Sequence, residues 1–310
     1  MWRGRHHITS PGFYFPGFLP MPPVVITSAE LIGAVEGEDG YHLQFRVWPA
    51  KGLPVATLVL VHGMMSHSGW FRELAKMLAA MQINVVGADR RGSGLNQRDR
   101  GDAPSRQILL SDLRRVIEHE ESGVPVYLAG WCWGAVLAVN AALEFGSKFK
   151  GLVLLAPGLF PSARIRRALQ SEIEALRDAA SPPRLLRSPV KEEMFTDIPQ
   201  FRELIAQDVL AVREFTPRFI QVSRQMQLVA AARLAQLTHP VLLLLAAHDQ
   251  AVDNKTTLAR FQKIRGASVT SATLPCNHGM QFEAPQEIAG NIQHWLAHQG
   301  ISVPLHRDAV

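Results

Sequence analysis

Gly130-Trp131-Cys132-Trp133-Gly134 lies between a run of strand character, Val124 to Ala129, and a run of helical character, Trp133 to Phe145. A strand that turns at once into a helix strains its turning residue and lifts that side chain above the sheet. Only small residues fit where strand and helix approach closely, and glycines stand at both such positions. The pattern is Gly-x-nucleophile-x-Gly, with a thiol where a hydroxyl is usual. A helix start beneath a thiol also favours the thiolate. Taken alone, the five residues fit equally well a buried structural cysteine in a glycine turn, because free cysteine packs as a small hydrophobe.

The surroundings decide between these readings. Upstream, Glu38-Asp39-Gly40 marks a hairpin whose second strand runs from Tyr41 to Trp48. Thr57 to Val61 is unbroken apolar, as in a strand covered on both faces. A helix over Trp70 to Met81, a strand over Ile83 to Ala88, a charged loop to Pro104 and a helix over Ser105 to Glu121 lead to the elbow. Leu152 to Leu155 is the next strand. This alternation predicts an α/β chain with a mostly parallel, doubly wound sheet. It stops at Pro157. From there to about His239 the sequence is polar, Arg-rich and helical between prolines, then Val241 to Leu245 resumes the strands. A helix near Thr256 to Ile264, a strand near Ser268 to Leu274 and a helix near Pro285 to His298 follow. The expected organisation is an N-terminal arm (1–28), a core (29–156 and 240–300), an inserted helical lid or cap (157–239) and a C-terminal tail (301–310).

A sheet carrying this elbow places an acid after a later strand and a histidine after the last one. Asp249 follows the strand beginning at Val241, and His278 follows the strand ending at Leu274. Asp253, four residues on, stands where a helix begins and reads as an N-terminal cap. His248 is merely adjacent to the acid. Cys276 reads as a passive buried thiol. His62-Gly63-Met64-Met65 follows the strand ending at Val61. The backbone N–H groups of Met64 and Trp133 are therefore the candidate oxyanion donors.

His62-Gly63-Met64-Met65-Ser66-His67-Ser68-Gly69 resembles the H-G-x-x-x-H-S-G loop of monoacylglycerol-lipase-like α/β-hydrolases, a group that includes lysophospholipase-like enzymes. Asp89-Arg90-Arg91-Gly92-Ser93-Gly94 is similar to the glycine-containing loop of the same group. The resemblance covers roughly residues 40–156 and 240–298 and reaches the lid only in position. It implies the α/β-hydrolase fold, a helical cap over an acyl pocket, and hydrolysis or transfer of acyl groups. Cys132 departs from the family's serine.

The parts define an expected chemistry. His278 takes the Cys132 proton or holds a thiolate–imidazolium pair, and Asp249 orients the imidazole. An acyl-thioester forms, which water or another acceptor resolves. Hydrolysis of an ester or thioester and acyl transfer to a non-water acceptor share this site. A non-catalytic binding protein would be expected to lack an acid or a base, and neither is missing. His62 and Trp131 border the candidate pocket as expected substrate-binding positions, while His62 and His67 read as loop-shaping residues rather than bases. Arg164, Arg166 and Arg167 read as a solvated helix face, or as a grip for the phosphates of a coenzyme A or carrier-linked thioester.

Bulk properties narrow the class. The 310 residues suit one catalytic domain with an insertion, and 47% hydrophobic with 19% charged residues argues against disorder. The net charge of +5 is scattered, without a basic run, which favours an anionic small molecule over nucleic acid. The two cysteines form no metal or disulfide pattern, so no cofactor or metal is expected and a cytoplasmic setting is the default. No apolar run reaches the roughly 18 residues of a membrane-spanning helix. Prolines interrupt the apolar stretch of Met1 to Val25, which reads as a loose arm laid on the protein through its aromatics rather than a signal peptide.

Overall fold

The computed structural model describes residues 30–120, 123–175 and 185–303; the expected N-terminal arm (1–28) and the tail from 304 onward lie outside the described residues. Leu31–Glu36 (β1) and His42–Trp48 (β2) form the expected antiparallel hairpin. Ala56–Val61 (β3), Ile83–Ala88 (β4), Val126–Trp131 (β5), Leu152–Leu155 (β6), Val241–Ala246 (β9) and Val269–Leu274 (β10) complete an eight-stranded sheet of order β1-β2-β4-β3-β5-β6-β9-β10. From β4 to β10 every pairing is parallel, and β2 joins β4 antiparallel. This is the α/β-hydrolase arrangement.

The apolar runs lie where their composition requires. Every residue of β3, β5, β6 and β9 is buried, because helices cover both faces of the sheet. Burial of each leucine in β9 contributes about 2 kcal/mol. Arg72–Ala80 (α1), Arg106–His119 (α2), Trp133–Phe145 (α3), Asn254–Phe261 (α8) and Pro285–His298 (α10) are the flanking helices. The expected helix from Trp70 begins as a 3-10 turn over Ser68–Phe71, where His67 Nδ1 accepts from the Gly69 N–H at 3.1 Å. Strand β5 extends two residues beyond the expected Ala129. Gly130 and Trp131 pair with Leu154 and Leu155, so the sheet grips the elbow directly.

The insertion is a cap, but not a wholly helical one. Ala163–Ala175 (α4), Glu192–Phe195 (α5), Pro199–Gln207 (α6) and Pro217–Arg233 (α7) are joined by a short antiparallel ladder of Leu186–Arg187 (β7) and Glu214–Phe215 (β8). Two-residue strands carry no readable alternation, which is why the sequence shows only helix there. Helix α7 fastens the cap to α3. Trp133 Nε1 donates to Ser223 Oγ at 2.6 Å, and Asn140 Nδ2 donates to the Met226 carbonyl at 2.9 Å. Met280–Glu283 (α9) is a single turn after the last strand that the periodicity also did not reveal. No helix among the described residues is long and apolar enough to cross a membrane.

Candidate active site

Cys132 turns the chain from β5 into α3 with φ +54° and ψ −120°. Such a backbone costs a non-glycine residue on the order of 1–3 kcal/mol and persists only where its surroundings fix it. Here the Cys132 N–H donates to the Leu155 carbonyl at 3.0 Å, while its carbonyl accepts from Gly158 at 2.8 Å and Ala135 at 3.2 Å. Both glycines are required by close approach. A Cβ on Gly130 would lie 2.6 Å from the Ala135 Cα, and one on Gly134 would run into the carbonyls of Val61 and His62.

His278 stands on the loop after β10, fully buried. Its Nδ1 lies 2.8 Å from Asp249 Oδ2. The other Asp249 oxygen accepts from the N–H groups of Ala251 (2.7 Å) and Val252 (2.9 Å), so the carboxylate is fixed from two directions. The opposite ring nitrogen, Nε2, makes no regular hydrogen bond among the described residues. The Cys132 side chain interacts with the same ring. Burial disfavours charge on the imidazole, but the Asp249 carboxylate and then Cys132 outweigh it and hold its pKa well above the usual range. Asp253 instead caps α8, accepting from the Thr256 N–H at 2.9 Å. His248 is exposed, and burial pushes the Cys276 thiol up to about 12.

Met64, Cys132 and Trp133 together line one cavity of about 420 Å3, roofed by cap residues including Leu169, Val190 and Ile220. The two candidate oxyanion residues and the elbow thiol thus meet on a mostly apolar chamber. Arg166 borders it, whereas Arg164 hydrogen-bonds Gln250; Arg164, Arg166 and Arg167 are all exposed. A second, charged cleft of about 700 Å3 lies against Met65 and holds none of the candidate site residues. Among the described residues no cluster of His, Cys, Asp and Glu is suited to a metal ion.

Two expected substrate positions are not at the cavity. His62 is fully buried and hydrogen-bonds with both ring nitrogens, to the Gly63 carbonyl at 2.7 Å and from the Arg90 N–H at 3.0 Å. Trp131 is buried behind the histidine, where its Nε1 donates to the His278 carbonyl at 2.9 Å and its ring lies 5.3 Å from the imidazole. Both shape the site from outside the chamber. His67 is also loop-shaping: its Nε2 meets Asp208 of the cap at 2.8 Å.

Sequence reasoning missed Phe195. Its ring lies 5.8 Å from His278, and its carbonyl accepts from the Gly279 N–H at 2.7 Å. Beside it, Asn277 Nδ2 donates to Asp197 at 2.9 Å. The cap therefore clasps the histidine loop itself. Phe195→Ala is expected to lower kcat by up to about 100-fold, the scale of a small misplacement of a reacting group. An acetyl ester, too short to fill the chamber, separates the possibilities. Loss on that substrate shows a displaced histidine, whereas an unchanged rate would mean that Phe195 serves only acyl-chain selection.

Residues 52–285 match the serine aminopeptidase S33 family (Hydrolase_4). Monoglyceride lipase from Homo sapiens is 28% identical over 231 residues, covering 70% of this chain and 73% of that protein. Phospholipase YtpA of Bacillus subtilis (strain 168) is 24% identical over 214 residues, 68% of this chain and 82% of its own. In structure, a soluble variant of monoglyceride lipase from Saccharomyces cerevisiae, solved with a substrate analog, superposes with a TM-score of 0.74 at 17% identity, covering 90% of this chain and 99% of the other. The match to the family spans well over half of the sequence, and the sheet order is that of the fold. The chain belongs to the serine aminopeptidase S33 family and is a hydrolytic enzyme of the α/β-hydrolase superfamily.

Proposed function

We propose that this enzyme cleaves carboxylic ester or thioester bonds through an acyl-cysteine formed at Cys132. The observation that carries the reading is Cys132 itself, held at φ +54° on the wall of an apolar chamber beside a histidine paired to a carboxylate. Relatives named as monoglyceride lipase and phospholipase support ester substrates with apolar acyl groups. The cysteine adds the finer claim.

In this reading the Cys132 Sγ attacks the acyl carbonyl carbon while His278 holds the thiol proton. The Met64 and Trp133 N–H groups receive the oxyanion. The carbon–oxygen or carbon–sulfur bond to the leaving group then breaks, and the leaving group departs with the proton from His278. Water gives a proton to His278, attacks the acyl-cysteine and releases the acid, returning the thiol. Asp249 keeps Nδ1 of the ring protonated and the other nitrogen turned to the chemistry.

A thiolate is also a good leaving group. The tetrahedral adduct with an alkyl ester expels it more easily than an alkoxide and reverts. With a thioester or p-nitrophenyl ester the two leaving groups are better matched, so acylation proceeds. The test offers one acyl chain as thioester, p-nitrophenyl ester and monoglyceride to the wild type and to Cys132→Ser. The wild type is expected to favour the first two strongly, and the serine variant to lose that preference or to be inactive. Equal wild-type rates on glyceride and thioester would replace this reading with a plain lipase or esterase.

A further inference from the structure

Arg90 follows β4 in the charged, glycine-containing loop, and it is 5% exposed. Its Nη2 donates to the Met64 carbonyl at 2.6 Å and to Ser93 Oγ at 3.3 Å. Its Nε and Nη1 find no hydrogen-bond partner among the described residues, where it also forms no ion pair. The neighbouring acid, Asp89, is engaged by Arg46 at 3.0 Å and by the Ser68 N–H at 2.7 Å. The guanidinium carbon instead lies 4.5 Å over the Phe219 ring and 5.2 Å over the Trp133 ring. A buried cation without a direct ion-pair partner is costly. Burial, helped by repulsion from Arg100 and only partly offset by the nearby Asp89 carboxylate, lowers its pKa to about 9. Its neighbours are the two residues whose N–H groups would meet a developing oxyanion.

The backbone of Arg90 reaches the same place by a second route. Its N–H can only donate, so His62 Nε2, 3.0 Å away, must accept and the ring proton must sit on Nδ1. That proton is donated to the Gly63 carbonyl at 2.7 Å. Burial pushes the His62 pKa down to about 3, so the neutral tautomer persists at working pH. The Gly63 carbonyl shares its peptide plane with the Met64 N–H, and an amide whose oxygen accepts a hydrogen bond becomes a better donor. Arg90 therefore acts on both carbonyls that flank the Met64 N–H, one through its guanidinium and one through His62.

We propose that Arg90 is a positioning residue of the oxyanion hole, aiming the Met64 N–H through both flanking carbonyls and holding a buried positive charge against Met64 and Trp133, the two residues that would donate to the oxyanion. The inference rests on the acyl-cysteine reading and deepens it.

Two reactions of the same thiol test it. Acylation by a thioester passes through an oxyanion, whereas alkylation by iodoacetamide is a direct displacement and forms none. In Arg90→Met the acylation rate is expected to fall about 10- to 100-fold, within the range for loss of oxyanion stabilisation, with KM nearly unchanged and alkylation at the wild-type rate. Should that variant fail to fold, Arg90→Gln carries the same comparison, since it keeps an amide donor for Met64 and loses the charge. Undiminished acylation in the folded variant, or equal loss in both reactions, overturns the role of Arg90. A wild type that alkylates at Cys132 but is never acylated there overturns the acyl-cysteine reading, and this inference with it.

Discussion

Cys132→Ala is expected to abolish turnover, by a factor on the order of 10^6 as when the nucleophile of other triads is removed. The chain should stay folded. Alanine removes only the sulfur at the elbow, while the backbone contacts from Leu155, Gly158 and Ala135 remain. Steady-state rates on a p-nitrophenyl ester, alongside a thermal melt, check both halves. Turnover within tenfold of the wild type would mean that the thiol is a structural element of the turn and that the reaction uses another group.

Asp249→Asn should lower kcat about 10^4-fold, because an amide holds the wrong histidine tautomer while leaving the geometry intact. Asp253→Asn should leave turnover within a few-fold of wild type, because asparagine also caps a helix start. The pH dependence provides a second readout. Burial opposes charge on His278, and Asp249 is the foremost influence holding its pKa above the usual imidazole range. Its loss lowers that pKa. The alkaline limb of the rate profile, where the imidazolium loses its proton, should therefore move to lower pH in Asp249→Asn. An opposite ranking of the two variants, or an alkaline limb unmoved by Asp249→Asn, would contradict the assignment of the acid.

The sheet was legible because its central strands are covered on both faces, so Leu58 to Val61 and Val241 to Leu245 are continuous apolar runs. The candidate elbow, acid and histidine could be picked out because each follows a strand, and strand ends survive in sequence as a change of pattern. Positions inside the fold could not. Trp131 adjoins Cys132 in the chain, but the turn sends it behind His278 rather than into the chamber. His62 lies at the end of a buried strand and points into the protein, where it serves backbone groups. The paired arginines of the loop after β4 look alike in sequence. Arg91 meets Asp112 at 2.6 Å and Asp39 at 2.8 Å, whereas Arg90 is buried among aromatic rings and carbonyls. Phe195 lies 83 residues from His278 by subtraction of their numbers, and only tertiary packing brings them together.

Everything in the proposed reaction depends on a covalent acyl group on one sulfur. Intact mass spectrometry after brief incubation with an acyl thioester, followed by mapping of the modified peptide, measures it directly. A single added acyl group is expected on the peptide containing Cys132, lost again with time and absent from Cys132→Ala. An acyl group on Cys276, whose buried thiol has its pKa pushed up to about 12, or turnover with no acyl-protein trapped even in acid-quenched samples, would contradict it.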